Sequence, residues 1–131
     1  MSERLRIAVV GAHLTGMPLN HQLLDRGAAL EFAGSTAPHY RLYALTASPP
    51  KPGMLRVTDG GAAIDLEVWS MPPAGFGEFV AGLPAPMTIG RVQLADGTEV
   101  PGFLVEPYAI AGAPDITSFG GWRSYQSAAR F

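Results

Sequence analysis

The stretch Leu5-Arg6-Ile7-Ala8-Val9-Val10-Gly11-Ala12-His13-Leu14-Thr15-Gly16-Met17-Pro18-Leu19-Asn20 decides how this chain is read. Its first half is an apolar run that predicts a buried strand over Leu5–Val10. Two glycines then bracket His13, and Pro18 stands where a helix would begin. A strand that breaks at glycine and re-enters a helix leaves backbone N–H groups unpaired beyond the strand end. His13, of the residue type that titrates near neutral pH, sits in that anion-receptive loop. The pattern outlines a small-molecule site.

The whole chain bounds what that site belongs to. Its 131 residues form one expected domain, 1–131, large enough for a single core. Hydrophobic residues at 47% against 15% charged exclude a disordered chain. A net charge of −2 gives no reason to expect nucleic acid or an anionic membrane as partner. The absence of cysteine rules out disulfides, thiolate nucleophiles and cysteine metal sites. No signal peptide or membrane helix is expected, so a soluble cytoplasmic protein is the expectation.

Sixteen glycines and twelve prolines favour short strands and turns over a helical bundle. A helix is expected over Pro18–Arg26, capped by Gly27. Strands are expected over Ala28–Ala33 and Tyr40–Leu45. Ser48–Gly53, with three prolines, reads as a surface loop. Met54–Val57 and Ala62–Trp69 flank Asp59-Gly60-Gly61 and read as a hairpin, as do Thr88–Leu94 and Thr98–Glu106 around Asp96-Gly97. Phe76, Phe79 and Val80 mark a helix within Pro72–Leu83. Asp115 is read as the N-cap of a last helix, Asp115–Ala129, frayed or kinked at Gly120-Gly121. The sum is an α+β domain on a mixed or antiparallel curved sheet, with closure into a barrel as one form of it.

Each candidate functional residue has an ordinary reading beside the functional one. His13 fits a general acid or base, or a loop cap. Asn20 either orients His13 or a ligand carboxylate, or satisfies local backbone. Arg41, between Tyr40 and Tyr43, either grips a carboxylate bidentately or pairs with a surface acid. Tyr40 and Tyr43 read first as core or rim aromatics. Asp65 and Glu67 share a strand face that points either into a pocket or into water. His13, His21 and His39 have no spacing that fixes a metal site, and no cofactor fingerprint or serine-hydrolase motif is present.

The segments Val10–Asn20, Thr36-Ala-Pro-His-Tyr-Arg-Leu-Tyr43, Lys51-Pro-Gly53, Ile64-x-x-Glu-Val-Trp69 and Asp115-Ile-Thr-x-Phe-Gly-Gly-Trp122 together resemble the C-terminal domain of allophanate hydrolase. The resemblance covers nearly the whole chain. It implies a γ-glutamyl cyclotransferase-like fold, a small β-barrel with flanking helices. It also implies a role in urea and allophanate degradation: an amidase removes ammonia from allophanate, and this domain promotes decarboxylation of the resulting N-carboxycarbamate. The implied catalytic residue is His13. The implied substrate-binding set is Gly11, Ala12, Leu14, Asn20, Tyr40, Arg41 and Glu67. The implied partners are a small carboxylate substrate and a separate amidase-signature protein, with no cofactor and no metal. Two alternatives stand beside this: a non-catalytic module that assembles with an amidase, and a cyclotransferase-like enzyme. The stretch Leu83-Pro84-Ala85-Pro86-Met87, where cyclotransferases place an essential glutamate, carries no acid.

Overall fold

The computed structural model describes residues 3–128. Its strands are β1 (Leu5–Val9), β2 (Ala29–Ser35), β3 (Tyr40–Leu45), β4 (Lys51–Arg56), β5 (Asp65–Met71), β6 (Met87–Gln93) and β7 (Glu99–Val105). Its helices are α1 (Asn20–Leu24), α2 (Pro73–Ala81) and α3 (Trp122–Ala128). Five strands form one sheet in the order β2-β5-β1-β7-β6, and β3 and β4 form a second, two-stranded sheet. β1 lies at the centre, antiparallel to β5 and parallel to β7. A central strand covered on both faces needs apolar side chains throughout, and Ile7, Ala8 and Val9 are at most 1% exposed.

The expected α+β mixed sheet is present, but it does not close into a barrel. Its two edges meet at one end through the single bridge Thr36↔Leu94, flanked by Ala37 N–H to the Gln93 carbonyl and Ala95 N–H to the Ser35 carbonyl. Among the described residues no continuous ladder joins β2 to β6.

Several local expectations are met. The Asp96-Gly97 turn joins β6 to β7, with the Asp96 carboxylate accepting from the Thr98 N–H and hydroxyl. Gly97 has a φ of +89°, which glycine adopts without a Cβ clash. β3 spans Tyr40–Leu45 as expected.

Other expectations are corrected. Lys51-Pro52-Gly53 is the start of β4 rather than a loop. Pro52 fits there because β4 pairs only with β3, and its outer edge requires no ladder donor. Asp59-Gly60-Gly61 is not a β4–β5 hairpin. β4 pairs with β3, and β5 inserts between β1 and β2. The helix expected over Pro18–Arg26 is α1 alone, with hydrogen-bonded turns on either side. Asp115 caps the 3-10 turn Thr117–Phe119 by accepting from Thr117 N–H at 2.9 Å, and α3 begins only after Gly120 (φ +80°) and Gly121. Ala129, the expected end of that helix, lies outside the described residues. Among the described residues no helix is long and apolar enough to cross a membrane.

Candidate functional site

The loop after β1 curls back on itself through Leu14 N–H to Gly11 O (3.0 Å), Met17 N–H to Leu14 O (2.9 Å) and Leu19 N–H to Ala12 O (2.8 Å). Gly11 has to be glycine. A Cβ there would lie 2.2 Å from Cδ of Pro52, so only a bare Cα lets the loop rest on β4. That contact brings Lys51 to the loop. Asn20 fixes the loop from behind by donating Nδ2–H to the His13 carbonyl at 2.8 Å.

His13 is 8% exposed. Its ring stacks on Phe103 of β7 at 5.0 Å and meets the edge of Phe79 of α2 at 5.1 Å. Its Nε2 lies 2.7 Å from Oε1 of Gln22. Burial lowers its pKa below the usual histidine value; the Gln22 hydrogen bond opposes this, and the charges of Lys51 and His21 add to it. The ring therefore rests neutral near pH 7.

A cleft of about 280 Å³ opens in front of this ring. Gly11, Ala12 and His13 form one wall, Gln22 of α1 and Arg26 of the turn after it a second, and Ser48 and Lys51 a third. Phe79, Leu83, Met87 and Phe103 supply its apolar surface. Arg26 is braced by donating to the Gln22 carbonyl at 3.0 Å, and its Nε lies 3.1 Å from the Glu78 carboxylate. Among the described residues the N–H groups of Ala12 and His13 make no protein hydrogen bond. The lining thus combines two cations, two available N–H donors and a neutral histidine. Among the described residues no carboxylate lines it. The chemistry of this lining suits a small anion.

A second cleft of about 280 Å³ lies on the other side of the same loop, lined by Leu14, Asp65, Glu67, Trp122 and Arg123 among others. Glu67 pairs in register with Val9, the last residue of β1, and is 5% exposed. Its Oε1 accepts from Thr15 N–H (2.8 Å), the Thr15 hydroxyl (3.0 Å) and Trp69 Nε1–H (3.1 Å). Its Oε2 lies 3.3 Å from Arg123, which also donates to the Thr15 carbonyl.

The structure divides the residues that the sequence offered. Gly11, Ala12 and His13 line the front cleft. Asn20 supports it, while Leu14 and Glu67 face the rear cleft. Asp65, on the same strand face as Glu67, also lines the rear. Tyr40 is fully buried, with its hydroxyl accepting from Gln93 N–H at 2.9 Å. Arg41 pairs with Asp115 at 2.7 Å and donates to the Gly60 carbonyl, away from both clefts. Gln22, Arg26, Lys51, Phe79 and Phe103 were not singled out as site residues. Gln22 and Arg26 did carry a signal, since their i, i+4 spacing places them on one face of the helix expected over Pro18–Arg26. Lys51 fell in a segment read as loop.

The open mixed sheet with its loop after the central strand is a γ-glutamyl cyclotransferase-like fold. A mouse AIG2-like protein shares it at a TM-score of 0.64 over 86% of each chain, and 19% identity carries the likeness no further than fold. Within that fold the chain belongs to the allophanate hydrolase C-terminal domain family, whose model matches residues 5–127. The urea amidolyase of Saccharomyces cerevisiae is 42% identical over 129 residues, which cover 95% of this chain and 7% of the relative. An allophanate hydrolase of Kluyveromyces lactis is 42% identical with a TM-score of 0.94, over 98% of this chain and 22% of that one. A uropathogenic E. coli-specific protein is 36% identical with a TM-score of 0.89, over 98% of both chains. The chain thus spans a small part of the yeast relatives and nearly all of the bacterial one.

Proposed function

We propose that this domain binds a small dicarboxylate of the N-carboxycarbamate type in the His13 cleft and promotes its decarboxylation. It would do so in urea and allophanate degradation, in the cytoplasm, alongside an amidase that supplies the substrate. The observation that carries this reading is the charge of the cleft: Lys51 and Arg26 line it and no carboxylate does. A dianion suits that lining, because each carboxylate finds a cation or an N–H donor without meeting a like charge. The K. lactis relative is named an allophanate hydrolase, which supports the choice of dianion.

The step balances as follows. One C–N bond of the dianion breaks and carbon dioxide leaves. The bonding electrons stay on nitrogen, and one proton from His13 completes the carbamate. Apolar walls from Phe79 and Phe103 limit water around the departing carboxylate, and Lys51 and the loop N–H groups hold the carboxylate that remains.

The test generates N-carboxycarbamate in place with an amidase and follows carbon dioxide release with and without this chain. Release faster than the spontaneous rate, lost in His13→Ala, supports the reading. Release at the spontaneous rate in both cases rejects it.

A further inference from the structure

We infer that Gln22 is a positioning residue that fixes His13 as its Nε2–H tautomer, making Nδ1 the nitrogen that exchanges a proton with the ligand. The catalytic consequence rests on the reading above; the tautomer does not. Imidazole presents two different nitrogens, and the hydrogen bond made by one decides what the other does. Here Nε2 lies 2.7 Å from the Gln22 side-chain oxygen. An amide oxygen only accepts, so Nε2 carries the proton whether the ring is neutral or charged. Among the described residues this is the ring's one hydrogen bond, which leaves Nδ1 without a protein partner.

The ring is held against rotation. Phe103 stacks on one face, Phe79 presses from the edge, and Asn20 holds the His13 carbonyl. The backbone of Gln22 is held in turn, because its main-chain carbonyl accepts from Arg26 at 3.0 Å. A flip of the imidazole would break the Gln22 hydrogen bond and swing the ring through its packing against Phe79 and Phe103.

The charges around the ring favour a neutral resting state. Lys51 approaches from β4, His21 from α1 and Arg26 from the turn after α1. The Glu78 carboxylate of α2 is 3.1 Å from Arg26 and is not among the residues that line the cleft. A glutamate at position 22 would favour the imidazolium. The neutral amide keeps the tautomer while leaving the charge to be set by the ligand. A bound dianion then draws a proton onto Nδ1, and that proton passes to the carbamate nitrogen as carbon dioxide departs.

The experiment is a pH series of imidazole 15N spectra on the full chain, with His21→Gln and His39→Gln used to assign the His13 signals. Above its titration midpoint, His13 in the wild type should show a protonated Nε2 and a bare Nδ1. Gln22→Leu should mix the two tautomers. The near-isosteric Gln22→Glu should keep the tautomer and raise the midpoint by about one pH unit or more. A protonated Nδ1 in the wild type, or an unchanged tautomer in folded Gln22→Leu, overturns the inference. Malonate titration near pH 7 in two buffers of different ionisation enthalpy then reads the proton. Uptake of up to about one proton per malonate supports the exchange at Nδ1, and binding with no uptake overturns it. Absence of malonate binding by the wild type rejects the dicarboxylate reading instead, while the spectra still decide the tautomer.

Discussion

One loop, Gly11–Leu19, separates two clefts of about 280 Å³ each, and they are built in opposite ways. In the rear cleft the buried carboxylate of Glu67 is already matched. Three donors converge on Oε1, and Arg123 faces Oε2. In the front cleft the polar groups are left over. Lys51 faces no carboxylate in the lining, and the Ala12 and His13 N–H groups make no protein hydrogen bond. Buried polar groups that are satisfied by the protein hold a fold together; groups left unsatisfied at a cleft wait for a ligand. The difference teaches that Glu67 and His13, though they serve the same loop, have separate tasks. Glu67 ties the loop to β5 and α3, and His13 lines the cleft that we propose as the ligand site.

This contrast predicts which property each substitution moves. The largest effect should come from Glu67→Leu. It strands the Thr15 N–H and Trp69 Nε1–H without their acceptor, and should cost about 1–3 kcal/mol of stability for each, read by denaturant unfolding. Glu67→Gln keeps an acceptor for Thr15 and should cost less. If Glu67→Leu left stability intact and abolished malonate binding, the rear cleft would be part of the ligand site and the contrast would fail.

Lys51→Ala should do the reverse. Its stability should stay within about 0.5 kcal/mol of the wild type. Its malonate affinity should fall about tenfold or more, since about 1.4 kcal/mol is a factor of ten. Unchanged affinity would remove Lys51 from the anion site. Arg41→Ala, whose guanidinium is spent on Asp115 and the Gly60 carbonyl, should leave malonate affinity unchanged.

The smallest effect is on the acid limb of stability. His13 has a folded-state pKa below the ordinary histidine value of 6.5, chiefly through burial. The unfolded chain therefore binds the proton more readily, and the contribution of neutral His13 is present above pH 6.5 and lost as pH falls through that value toward the folded pKa. His13→Leu should flatten this limb, measured as unfolding midpoints between pH 7.5 and about pH 5. An equally steep limb in the variant would mean that another group carries it.

Much of this was legible in the chain, and the exceptions have physical causes. The β6–β7 hairpin was readable because Asp96-Gly97 supplies both a side-chain acceptor and a residue free to take positive φ. His13 stood out because glycines bracket it after an apolar strand. The β4 start was hidden, since proline normally breaks a strand and only an edge position tolerates Pro52. Asp59-Gly60-Gly61 misled because turn chemistry records that the chain turns, not which strands pair afterwards. Glu67 was visible as an acid in an apolar strand, but its partners, Thr15 and Arg123, lie 52 and 56 residues away in sequence. Lys51 and Gln22 reach His13 only through packing of the loop on β4 and α1, which no local pattern encodes.

The most direct test of the account is calorimetric titration with malonate, a stable mimic of N-carboxycarbamate, on the intact chain and on His13→Ala. The account predicts saturable one-to-one binding to the wild type and none to the variant. No binding to the wild type, or equal affinity in both, would contradict a dicarboxylate site at His13.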